Sequence, residues 1–114
     1  MKALVLLLCC LPLLYADLET HKQYCALKRH DIMRACAIEN RAGFAVETFR
    51  NCAVQVKFHQ TLDELTEYVC KDTNSQEFMK FAACMDPPLE AENQTNPNFL
   101  DILQKCIRKA EKFQ

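Results

Sequence analysis

The sequence predicts an all-α protein: a compact bundle of about five short helices stapled by three disulfides. Three observations predict it. Apolar residues recur at three- and four-residue intervals along most of the chain, as one buried stripe per helix requires. Only one of the 114 residues is glycine, Gly43, and tight hairpins or phosphate-cradling loops usually need several. Six cysteines follow the N-terminal leader, and an even number in a short chain marks a disulfide framework.

Residues 1–16 read as a secretion signal, with one charge at Lys2, an apolar run from Ala3 to Leu14 and the small Ala16 at the cleavage edge. That run is too short to span a bilayer comfortably, and nothing after it is apolar enough, so no transmembrane segment is expected. Cleavage leaves residues 17–114 as a single helical disulfide-rich domain and takes Cys9 and Cys10 away with the signal. Taking Lys2 from the 14 cationic side chains leaves 13 against 15 acidic ones, a net charge of −2. Without a basic excess, nucleic acid is not an expected partner.

Leu18 to Asn40 reads as one long helix with Cys25, Ile32 and Cys36 on a common face. Its two cysteines lie roughly 16 Å apart along the axis, too far to bond, so each must reach a different helix. Asn40-Arg-Ala-Gly43 supplies a stop, with Gly43 placed to take a left-handed backbone conformation. A second helix is expected from Phe44 to His59, burying Ala45, Phe49, Cys52, Ala53 and Val56. Thr61-Leu-Asp-Glu64 is a capping box that opens a third helix, ending near Lys71, with Leu62, Leu65, Tyr68 and Val69 inward.

Asn74-Ser-Gln-Glu77 repeats the capping logic and starts a fourth helix, which Asp86-Pro87-Pro88 should end because proline removes an amide donor and clashes with a continuing helix. A loop to Asn96 is expected next, carrying Asn93-Gln-Thr95, an acceptor triplet for N-linked sugar. Asn96-Pro97 then opens a fifth helix, to about Lys112, with Phe99, Ile102, Leu103, Cys106, Ile107 and Ala110 on one side.

Cys25, Cys36, Cys52, Cys70, Cys84 and Cys106 are the expected bridge-formers. They contain no Cys-x-x-Cys pair and are spread over every helix, which argues against a zinc site. Stacking the helices up and down puts Cys25 level with Cys84 and favours that bond. Cys36 with Cys52 and Cys70 with Cys106 would complete the set, although the geometry barely separates this arrangement from the others that six cysteines allow.

His30-Asp31 resembles, faintly, the catalytic helix of secreted phospholipases A2, but the adjacent cysteines and the glycine-rich calcium loop of that family are absent. A phospholipase-like hydrolase therefore stays a remote alternative. His21 and His59 are expected at helix ends without a partner carboxylate or thiol at ligand spacing and read as surface side chains, while Asp63, Glu64 and Glu67 offset a helix dipole. No catalytic residue, metal ligand or cofactor site is expected, and the chain reads as a non-enzyme.

Two features leave room for binding. Lys105, Arg108, Lys109 and Lys112 share one side of the last helix, opposite its apolar stripe, and would suit an anionic membrane or an acidic receptor patch. Adaptable Phe and Met side chains, namely Phe44, Phe49, Phe58, Phe78, Phe81, Phe99, Met33, Met79 and Met85, would also line a cavity for a small hydrophobic ligand, although a filled core needs the same residues. Across Leu65 to Met85 the run LTEYVC, a short polar turn and FMKFAACM resembles small helical, disulfide-rich secreted proteins of arthropods, of venom or hemolymph type. The cysteine spacing is not that of insect odorant-binding proteins or saposins, and no named family is assigned. The resemblance implies an extracellular, non-enzymatic role and carries over no functional residues. The expected function is binding to an extracellular receptor, channel or other protein, as a toxin or body-fluid component, with carriage of a small hydrophobic ligand as the alternative.

Overall fold

The computed structural model describes residues 18–114; the expected signal and its cleavage edge lie outside the described residues. Among the described residues there are six helices and no strand: α1 (18–26), α2 (His30–Glu39), α3 (Phe44–Val56), α4 (Leu62–Cys70), α5 (Gln76–Thr95) and α6 (Phe99–Glu111). The all-helical class is as expected, with one helix more than five.

The extra helix comes from a break in the first. Leu27 turns into the core, 5 % exposed, and its amide donates to Tyr24 O at 3.1 Å. Nothing local announces this, since residues 27–29 contain no glycine, proline or asparagine. The break places the Leu27 side chain in the core, and its burial offsets helix bonds lost there.

The turn after α2 also departs from expectation. Arg41 takes the left-handed conformation (φ 65°), while Gly43 has an ordinary helical φ of −60°. The amide of Ala42 reaches Ala37 O at 2.7 Å and that of Arg41 reaches Ile38 O at 3.4 Å, which are the paired bonds of a Schellman stop. Counting from Asn40 as the C-cap, the left-handed position falls on Arg41. Gly43 instead begins α3, close under Ile38.

The Thr61 capping box forms as expected, with Glu64 N donating to Thr61 Oγ1 and Thr61 N to Glu64 Oε1, both at 3.1 Å. At α5 the cap is Ser75, whose Oγ accepts from Phe78 N at 3.1 Å, while the amide of Asn74 is held by Asp72. Pro87 and Pro88 do not end α5, which runs on to Thr95. Each proline deprives a carbonyl one turn back of its donor. The turns beyond them persist because Leu89 is buried in the core and Asn93 Oδ1 accepts from Leu100 N at 3.2 Å, tying α5 to α6. Accordingly α6 starts at Phe99, with no side-chain cap from Asn96 or Asn98.

The principal packing pairs are α2 with α6 and α3 with α5. The largest fully buried side chains include Phe78, Phe81, Phe99, Leu65, Ile107 and Val69. The disulfides are Cys25–Cys70, Cys36–Cys106 and Cys52–Cys84. All three differ from the favoured set, although Cys25 and Cys36 do avoid each other. Heights estimated along a straight first helix do not hold, since that helix is interrupted at residues 27–29, and Cys25 meets α4 while Cys36 meets α6.

Candidate functional site

Between α1, α2, α3 and α5, with Leu103 of α6 at its border, lies a chamber of about 60 Å³ walled mainly by Met33, Ala37, Ala45, Phe49, Phe81 and Met85. The inward stripes of α2, α3 and α5 place these side chains. α1 roofs the space with Thr20, His21 and Tyr24, and Arg34 stands at one edge.

Polar groups of this rim are held in hydrogen bonds. His21 is buried, 7 % exposed, with Nε2 donating to Asp86 Oδ1 at 2.8 Å and its ring edge-on to Phe81. This corrects the surface placement expected for it. His21 stands four residues before Cys25, so the periodicity that turns the cysteine inward turns the histidine inward too; its partner, 65 residues away, leaves no local trace. Tyr24 Oη and Thr66 Oγ1 share a hydrogen bond of 3.0 Å, and Arg34 Nη1 donates to both oxygens. Arg34 Nη2 donates to Asp63 Oδ1 at 2.5 Å. Burial pushes the Tyr24 hydroxyl pKa up. Burial opposes the Arg34 charge, but Asp63 and Tyr24 more than compensate and hold its pKa above the ordinary value. Asp63 thus has a partner across the helices as well as a place in the first turn of α4.

The second feature is the end of α6. Lys105, Arg108, Lys109 and Lys112 are all exposed, and among the described residues no carboxylate lies within ion-pair distance of any of them. Phe113, 56 % exposed, follows directly. Because α2 and α6 run antiparallel, with Cys36 bonded to Cys106, the chain end meets the turn before α2, where Lys28 N donates to Gln114 Oε1 at 2.8 Å. Lys28 is exposed there as well.

The structure does not bring His30 and Asp31 together. Both oxygens of Asp31 are held by Arg29, at 3.1 and 2.9 Å, which brings the carboxyl down to about 2. The His30 ring lies against Tyr24, with centroids 4.8 Å apart, and its Nε2 is buried without a partner. Burial lowers the His30 pKa, an effect the backbone carbonyls of Tyr24 and Cys25 partly offset. His59 Nε2 is likewise buried and unpaired, beside the Tyr68 ring. Among the described residues no group of three or more His, Cys, Asp or Glu side chains is placed to hold a metal ion. Asn93, expected in a loop, is a half-buried residue of α5.

Fold and site together define a disulfide-stapled helical domain with an apolar chamber and a basic end. Among the described residues no helix is long and apolar enough to cross a membrane. The chain matches no family model, no curated protein and no solved structure.

Proposed function

We propose that this chain is a secreted, non-catalytic binding protein, a venom or body-fluid component like the arthropod proteins it resembles, that engages an acidic patch on an extracellular protein. The docking surface is the end of α6, with Lys105, Arg108, Lys109 and Lys112 around Phe113. The observation that carries this reading is charge segregation: four exposed cations without carboxylate partners stand on a chain whose net charge is −1. Arg108 and Lys109 also complement the dipole of α6, but dipole compensation needs neither four cations nor an exposed ring beside them. Three disulfides are compatible with an oxidising, extracellular setting. Asn93, if it carries sugar, would attach it on α5.

The test compares the wild type with a K105Q/R108Q/K109Q/K112Q variant on a poly-glutamate surface at physiological ionic strength. Each rim cation contributes about 0.3–1 kcal/mol, so the variant should bind roughly ten-fold or more weakly. Equal binding by the two proteins rejects the surface. Vesicles of matched anionic charge form the second arm, and a preference of the wild type for them over poly-glutamate overturns the choice of a protein target.

A further inference from the structure

The chamber under α1 is independent of the basic end. Its volume, about 60 Å³, is several times the roughly 10–15 Å³ that a single water requires. Native interiors are close-packed, with few voids larger than a water, so room on this scale in so small a domain calls for an explanation. The main polar groups on the chamber's rim are already taken: His21 Nε2 by Asp86, Tyr24 by Thr66 and Arg34, and Arg34 by Asp63 as well, while the carboxylate of Asp101, in a hollow outside the chamber, disfavours an anion. A charged or strongly polar molecule inside would give up its own hydration without replacement. Enclosed apolar cavities stay dry and accept apolar guests, and the inner wall of this partly open chamber, with Met33, Ala37, Ala45, Phe49, Phe81 and Met85, has the same apolar character.

Size decides how the guest sits. An outer hollow of about 160 Å³ adjoins the chamber, and the two spaces share Thr20, His21, Leu89 and Leu103 as lining residues. The chamber alone is smaller than the roughly 150 Å³ void known to house benzene, whereas the two spaces together exceed it. The hollow would hold a ring by itself, but a ring-sized guest that touches the inner wall at Met33 and Met85 has to reach past the shared residues. Two of these four are held by hydrogen bonds, His21 to Asp86 and Thr20 by Gln104 Nε2 at 2.9 Å. The other end of α1 is fixed covalently through Cys25–Cys70. Parting the His21 and Thr20 contacts joins chamber and hollow while the disulfide keeps α1 in register.

We propose that chamber and hollow form one binding site for a compact, neutral, apolar molecule about the size of a six-membered ring, admitted under the N-terminal turn of α1. Met33 and Met85, with flexible thioethers, adapt the inner wall to it.

The test uses the mature protein with ¹³C-labelled methionine methyls, titrated with benzene and, separately, with benzoate. Met33 and Met85 report on the chamber, and Met79, 42 % exposed on α5, reports on the surface. Saturable benzene shifts at Met33 and Met85, with Met79 still and benzoate inert, are expected. Asp86→Asn, which removes the charge that holds His21, should speed guest exchange several-fold, and Met85→Ala, which enlarges the chamber, should tighten benzene several-fold. Absence of shifts, non-saturating shifts at all three methyls, or equal binding of benzoate overturns the proposal. Should Met85→Ala fail to fold, the wild-type titration decides by itself.

Discussion

Replacing Cys36 and Cys106 together by alanine should destabilise the domain by about 5–6 kcal/mol, more than removal of either other bridge. The residues are 70 apart, and chain entropy alone assigns about 4.4 kcal/mol to a loop of that length. The other two bridges shorten it, however. The path from Cys36 to Cys52, across to Cys84 and on to Cys106 covers roughly 38 residues, for which the same relation returns about 3.9 kcal/mol. For Cys25–Cys70 the shortest remaining path is roughly 41 residues, and for Cys52–Cys84 it is the direct 32, giving about 3.9 and 3.7 kcal/mol. Entropy thus makes the three bridges nearly equal, and burial separates them. Cys36 and Cys106 are 6 % and 1 % exposed, whereas Cys25, Cys70 and Cys84 are half-buried. Deleting two buried sulfurs from close-packed surroundings adds about 1–2 kcal/mol for the void left behind. Urea titration of the three oxidised double-alanine variants, with the slope checked for constancy, reads these differences directly. The reasoning is refuted if C36A/C106A is no less stable than C25A/C70A, or if any of the three variants lies within about 1 kcal/mol of the wild type.

Three further outcomes are expected. Arg41→Gly should stabilise the protein by about 0.5–1 kcal/mol by relieving a left-handed non-glycine residue, and Gly43→Ala should be neutral or stabilising; the opposite pattern in thermal melts would put the left-handed residue at Gly43. Because burial lowers the His30 pKa, the unfolded chain takes up its proton first as pH falls. The contribution of neutral His30 is therefore complete above about pH 6.5 and declines below it, so His30→Asn should flatten the stability profile below about pH 6.5, and an unchanged slope would refute the assignment. Thr61→Ala removes the cap of α4 and should cost about 1 kcal/mol by chemical denaturation, whereas Asn74→Ala should have a smaller effect, since Ser75 supplies the cap of α5.

The parts of this fold legible in sequence are those set within one or two turns. The Thr61 box is such a case, as is the inward stripe of α3 through Ala45, Phe49, Cys52 and Ala53. So is the exposed basic face of α6, because the apolar stripe opposite it has to face the core. The prolines mislead for a related reason: Pro87-Pro88 is a strong local stop, and only the burial of Leu89 and the bond from Asn93 to Leu100 keep the helix going. The Schellman turn depends on which residue caps α2, a matter of one position, and neighbouring Arg41 and Gly43 exchanged roles accordingly.

By itself the sequence determined the helical class, the six bridge-forming cysteines and the separation of Cys25 from Cys36, since periodicity, glycine scarcity and helix rise are local quantities. Which sulfurs meet, where the first helix breaks and that His21 is buried against Asp86 were decided only in three dimensions. Each of these depends on groups 32 to 70 residues apart whose meeting is set by how whole helices pack. The chamber belongs with them, because the volume left between five helices is a property of their packing and of no single stretch of chain.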